Sequence, residues 1–193
     1  MPPGGRSVFN HPHLLNINHQ FSARQGFFRM TFLLTCLAVA LILLVLVDSF
    51  ETTILPRRIT HRYRLARMYY LSAWRVWHAL ALKIRAAKTR ESFLAVFGPL
   101  SLLGMLILWV TVLIFSFALL HWSLETSIHS PDQRISYATY LYWSGGTFFT
   151  LGYGDITPAG PLGRVLAIVE AGMGFGFLAL FISYVPVIYQ TFS

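Results

Sequence analysis

Three apolar blocks, each long enough to cross a bilayer, limit what this chain can fold into. Met30 to Val47 (MTFLLTCLAVALILLVLV) carries no charge and as a helix spans about 27 Å, just enough for a hydrocarbon core. Pro99 to Leu120 is also uncharged, and Val165 to about Tyr189 is interrupted by Glu170 and bent by Pro186. With no water in hydrocarbon to pair N–H and C=O groups, such blocks must satisfy their own backbones as helices. Only 11% of the residues are charged against 55% hydrophobic, so the expected fold is an all-α membrane protein with three transmembrane helices. The first block is no signal peptide, being long, without a small-residue cleavage site and preceded by 29 residues.

Charge divides the rest. Residues 1–29 read as an irregular tail, 30–50 as the first transmembrane helix, 51–91 as a basic linker and 92–193 as one further domain. The tail holds Pro2, Pro3, Gly4, Gly5 and scattered His11, His13 and His19, a floppy segment rather than a metal site. Ten of the fifteen basic residues fall in the linker, among them Arg57, Arg58, Arg62, Arg64 and Arg67, with Arg24 and Arg29 alone close before the first helix. Positive charge marks the cytoplasmic side, so the linker is expected inside and the amino terminus outside. The net charge of +8 then points to lipid rather than nucleic acid. Cys36, the single cysteine, permits no intrachain disulfide.

Taken as a helix, the linker sets Leu65, Tyr69, Ala73, Val76, Leu80 and Ile84 on one face and Arg64, Arg67, Arg75, His78 and Arg85 on the other. Two readings stay open: an interfacial helix whose basic patch (Arg64, Arg67, Arg75, Arg85) meets anionic lipid, or a charge run that only sets topology. Arg58, His61, Arg64 and Arg67 recur every third residue, but residues between them are too polar for a voltage sensor.

Between the second and third blocks stands Thr150-Leu151-Gly152-Tyr153-Gly154-Asp155. Carbonyl oxygens can all face one axis only if the backbone alternates into conformations that a Cβ makes costly, and Gly152 and Gly154 permit that. A stack of such carbonyls replaces the hydration shell of a potassium ion. Thr150 adds a hydroxyl at the inner end, Tyr153 turns its ring outward and Asp155 puts a negative charge at the outer mouth. The aromatic run from Ser136 to Thr147 is too short to span and suits a re-entrant helix, tolerated where it is buried in protein. In a soluble chain Gly-Tyr-Gly-Asp would read as a turn; here the surrounding helices remove that setting.

This hexapeptide, with helix, re-entrant helix and helix around it, resembles the potassium-channel pore module over roughly Phe93 to Ser193. The resemblance implies an outer helix about 93–121, a pore helix about 136–149, the filter 150–155 and an inner helix about 162–190, four chains around one pore. It implies K+ ligation by the main-chain carbonyls of Thr150, Leu151, Gly152 and Tyr153 and by the Thr150 hydroxyl. Tyr142 and Trp143 match the aromatic pair that forms a cuff around the filter, Tyr142 within reach of Asp155. Gly174 falls at the hinge distance from the filter, although Gly172, Gly174 and Gly176 could equally serve packing. Phe175, Leu178 and Ile182 are expected to line the cavity. Where bacterial relatives carry a glutamate this chain has Gly146; Phe149 replaces a threonine and Leu151 a valine. Glu170, an ionisable residue inside a membrane helix, is expected to hydrogen-bond the pore helix from behind, with a water-filled path or the headgroup level as alternatives.

The expected function is thus a potassium-selective channel, a homotetramer in the plasma membrane (the inner membrane in a bacterium), with K+ as permeant ion and no cofactor. A regulatory or structural channel-like subunit and a weakly selective cation channel are the alternatives. No nucleophile–base constellation, phosphate loop or metal-ligand cluster suggests an enzyme. The gating stimulus is not legible in these residues.

Overall fold

A computed structural model describes residues 12–54, 65–84, 86–131 and 134–192, and only the backbone of 12–27, 53–54, 65, 87, 185 and 187–192. Six helices run through them: α1 (Pro12–Ile54), α2 (Leu65–Ala81), α3 (Ala87–Ala95), α4 (Phe97–Ser123), α5 (Tyr137–Phe148) and α6 (Pro161–Phe192). Parts of α1, of α3 with α4, and of α6 are long and apolar enough to cross a membrane: Phe28–Thr52, Lys88–Ser123 and Pro161–Tyr184.

Two boundaries differ from the sequence reading. The backbone is helical from Pro12, where an irregular tail was expected; proline is well suited to a first helical position, and the next proline in the sequence is Pro56, beyond Ile54. Residues 1–11, with His11, lie outside the described residues, as do Arg57, Arg58, Arg62 and Arg64. The outer helix is broken at Val96 between α3 and α4. Pro99 has no N–H to give to the carbonyl of Ala95, four residues back, so the ladder must restart there.

Packing follows one stripe per helix. Ala38, Ile42 and Val45 of α1 meet Trp109, Leu113, Phe117 and Leu120 of α4 in the larger core, spacings that keep one helical face inward. Two polar fasteners join the same pair. Thr35 Oγ1 and Ser123 Oγ are 3.0 Å apart, and Trp109 Nε1–H donates to Asp48 Oδ2 at 2.8 Å, so α1 and α4 run antiparallel. A second core gathers Ala118, Ile128, Tyr140, Trp143 and Ile156 around the pore helix α5. A two-residue ladder, β1 (Ile128–His129) with β2 (Thr157–Pro158), pairs Ile128 with Pro158 and His129 with Thr157. It ties the loop after α4 to the loop after the filter, a link no sequence signal announced.

The linker helix α2 is amphipathic, but its inner face is turned from the one expected. Ala66, Tyr69, Tyr70, Ala73, Trp77 and Ala81 face the protein, while Val76 and Leu80 are exposed. The reason is aromatic: Trp77 stacks on Phe93 with ring centroids 4.3 Å apart and donates its indole N–H to Phe93 O at 3.1 Å. Tyr69 lies over Gly104 of α4, in the space a Cβ there would take.

Candidate functional site

The pore helix ends where the filter begins, and one residue does both. Phe149 caps α5; Thr150 N–H then donates to Thr147 O at 3.0 Å and Leu151 N–H to Gly146 O at 2.8 Å. That pair of bonds is the Schellman helix stop, which requires a left-handed residue and usually takes glycine. Here it is Thr150, at φ +54°. Gly152 at +59° and Gly154 at +78° are left-handed too, while Leu151 and Tyr153 are not. Alternate residues thus take opposite hands, which turns successive carbonyls to the same side of the strand. The Thr150 hydroxyl donates to Phe149 O at 2.7 Å, leaving its own lone pairs available to a cation.

At the far end of this strand, Asp155 is held by two hydrogen bonds. Tyr142 OH donates to Asp155 Oδ2 at 2.9 Å, while Asp155 Oδ1 accepts Ile156 N–H at 3.0 Å. That bond pushes the Tyr142 phenol above its ordinary pKa, so it stays a donor. Its ring stacks on Tyr153 with centroids 6.4 Å apart. Trp143, next in sequence, turns the other way; it is buried against His121 of α4, ring centroids 4.5 Å apart.

Behind α5 lies a polar knot sealed from solvent. Ser144 Oγ donates to Glu170 Oε1 of α6 and is also 3.0 Å from Ile114 O of α4. Glu170 Oε2 faces His121 Nε2 at 3.6 Å, and His121 Nδ1 is 3.1 Å from Thr126 Oγ1. His121, Ser144 and Glu170 are each wholly buried. Glu170 of α6 thus meets α5 directly. Sequence reasoning missed His121, Ser144 and Thr126. The signal was present, since His121 ends one apolar block and Glu170 interrupts another, and ionisable groups at that depth pair with one another.

Below the filter, Phe148 and Phe177 approach with centroids 6.4 Å apart, and Phe177 meets Trp109 edge-on at 6.3 Å. Gly174 is buried with its α-carbon against the Phe148 carbonyl, where a Cβ would collide. Gly172 and Gly176, expected as a packing pair, have nothing near them. A hollow of about 400 Å³ opens here, lined by Phe149, Thr150, Phe175 and Leu178 together with α4 residues. Ile182 is exposed beyond its lining. Of the basic patch, Arg67 and Arg75 are exposed, and Arg64 and Arg85 lie outside the described residues. Among the described residues no group of three or more His, Cys, Asp or Glu gathers as a metal site.

Comparison with known proteins gives the same segment its relatives. Residues 102–190 match the family model described as "Ion channel". The chain is 28% identical over 116 residues to the uncharacterized membrane protein YdjJ of Bacillus subtilis (strain 168), covering 59% of this chain and 33% of that protein. It is 36% identical over 83 residues to protein LctB of Geobacillus stearothermophilus, 38% of this chain and 61% of that one. Over 45 residues it is 53% identical to human potassium voltage-gated channel subfamily KQT member 4, 23% of this chain and 6% of the channel. The chain therefore spans a third to three fifths of these bacterial relatives' length. No solved structure matches it. A helical membrane module with a re-entrant helix, a strand of alternating hand and this match make residues 102–190 similar to a pore module of the potassium-channel type, in a chain that is a multi-pass membrane protein.

Proposed function

We propose that the chain passes K+ passively across a plasma membrane as a homotetramer. The observation that carries this reading is the alternation of left-handed backbone at Thr150, Gly152 and Gly154. It aligns the carbonyls of Thr150 to Tyr153 into a column of oxygens that can replace hydration water without a cofactor. One strand supplies a quarter of each ring of ligands, so four chains are needed around the ion. Bare apolar side chains on a single copy agree: Tyr153 is 67% exposed, Phe175 68% and Ile168 72%. In the tetramer Phe175, Leu178 and Ile182 turn toward the central cavity, and the carboxyl end of α5 directs its partial negative charge there. Tyr142 braces the filter from the outer side, and Glu170 and Trp143 do so from behind.

The rest of the reading follows from charge. The basic linker lies inside and the amino terminus outside, and Arg67 and Arg75 of α2 meet anionic headgroups at the inner leaflet. The test is the reversal potential of purified protein in a planar bilayer, with potassium on one side and sodium on the other. A value near the potassium equilibrium potential is expected. A value near zero with robust current would replace this reading by an unselective cation pore. Silence from assembled tetramers at every membrane composition tried would favour a regulatory subunit.

A further inference from the structure

One buried carboxyl group belongs to none of this machinery. Asp48, near the end of the membrane-spanning part of α1, is only 5% exposed, and its oxygen Oδ2 serves two other helices. It accepts the indole N–H of Trp109 in α4 at 2.8 Å and the backbone N–H of Ala66, in the first turn of α2, at 3.2 Å. Asp48 Oδ1 has no hydrogen-bond partner. A buried carboxyl group left half-satisfied costs stability, and hydrocarbon side chains could fill that space without the cost. The arrangement therefore asks for a reason beyond packing.

We propose that Asp48 is a positioning residue that couples the linker helix to the pore, so that where α2 sits on the membrane surface sets the inner helix and the base of the filter. A single oxygen holds both donors, so α2 cannot shift its first turn without drawing on Trp109 or giving up a buried bond. Trp109 is 2% exposed and bears edge-on on Phe177 of α6. Phe177 packs on Phe148, two residues before Thr150. Tyr69 seated on Gly104 and Trp77 stacked on Phe93 keep α2 from moving freely of α3 and α4. On its outward side α2 presents Arg67 and Arg75 together with exposed Met68, Leu71 and Trp74, the mixture that an anionic lipid surface attracts. The coupling thus links a lipid-contacting helix to the filter through side chains in van der Waals or hydrogen-bond contact, a contiguous route of the kind energetic coupling needs.

The functional arm rests on the channel reading above, and the experiment separates the two. Potassium flux is measured for the full chain in vesicles of phosphatidylcholine alone and of phosphatidylcholine with phosphatidylglycerol. Wild-type flux is expected to change several-fold with the anionic lipid. Asp48→Ala and Trp109→Phe should lose most of that change while keeping a potassium-selective reversal potential. Asp48→Asn, which keeps an oxygen acceptor for both N–H groups, should retain most of it. A wild type indifferent to the lipid, or an Asp48→Ala protein with the full response, would overturn the coupling. A wild type that conducts in neither vesicle would sink the channel reading instead. The latch is then judged by spin-label distances between Arg75→Cys and Ile107→Cys in a Cys36→Ser background. Asp48→Ala should broaden that distribution and Asp48→Asn should not; an unchanged distribution in Asp48→Ala overturns the latch, and it settles the matter equally if Asp48→Ala is too unstable for flux work.

Discussion

At the scale of single residues, the strand after α5 is held by groups that do not belong to it. Ser144 supplies a hydroxyl to the buried carboxyl of Glu170, and removing it strands an acceptor in a dry interior. Ser144→Ala is therefore expected to lower unfolding stability by about 1–3 kcal/mol, measured by thermal denaturation in detergent, whereas an exposed site such as Ser72 should tolerate alanine. Tyr142→Phe deletes the one bond from the pore helix to Asp155 and leaves the ring stack on Tyr153. Selectivity should persist in that variant while the conducting state grows shorter-lived, as single-channel records would show; records identical to wild type would remove Tyr142 from the brace. Gly174 calls for a different experiment, because its α-carbon lies on the Phe148 carbonyl. Gly174→Ala must displace the end of the pore helix, so it should shift the reversal potential toward zero. Gly172→Ala, with open space around it, should not. If the two variants behave alike, the glycines serve flexibility and not contact.

At the scale of elements, α2 is held by a notch. The Tyr69 ring fills the place of a side chain at Gly104, so Gly104→Ala overpacks the α2–α4 seam and should cost about 1–3 kcal/mol. Adding Tyr69→Phe removes the nearest atom and should recover part of that loss. A double-mutant cycle without coupling would place the two helices apart. This seam also marks how far the sequence could be read. The three apolar blocks, the short helix α5 and the left-handed glycines after it were legible because each is written in consecutive residues. The inner face of α2 was misjudged by about one residue, since Tyr, Trp, Leu and Met occur all round that helix and only the stack of Trp77 on Phe93 decides between them. The break at Val96 was written in Pro99 and went unread. His121, Ser144 and Asp48 could not be found locally, because each matters through a partner on another helix.

At the scale of the whole molecule, the single chain leaves its filter strand and much of α6 uncovered. Native mass spectrometry from mild detergent is expected to give four chains, and a stable monomer would remove the basis for a shared ion site. The first helix belongs to this body and is not an appendage, for it meets α4 along its apolar stripe and is fastened at Thr35 to Ser123 and at Asp48 to Trp109. The two fasteners lie roughly 20 Å apart along α1. Neither can slip by a helical turn without stranding a polar group, so α1 and α4 keep a fixed relative height. Most multi-helix proteins can meet a thinner or thicker bilayer by sliding or tilting individual helices. Here the riveted pair must tilt as one plank, and any mismatch with membrane thickness is handed to the protein as a whole.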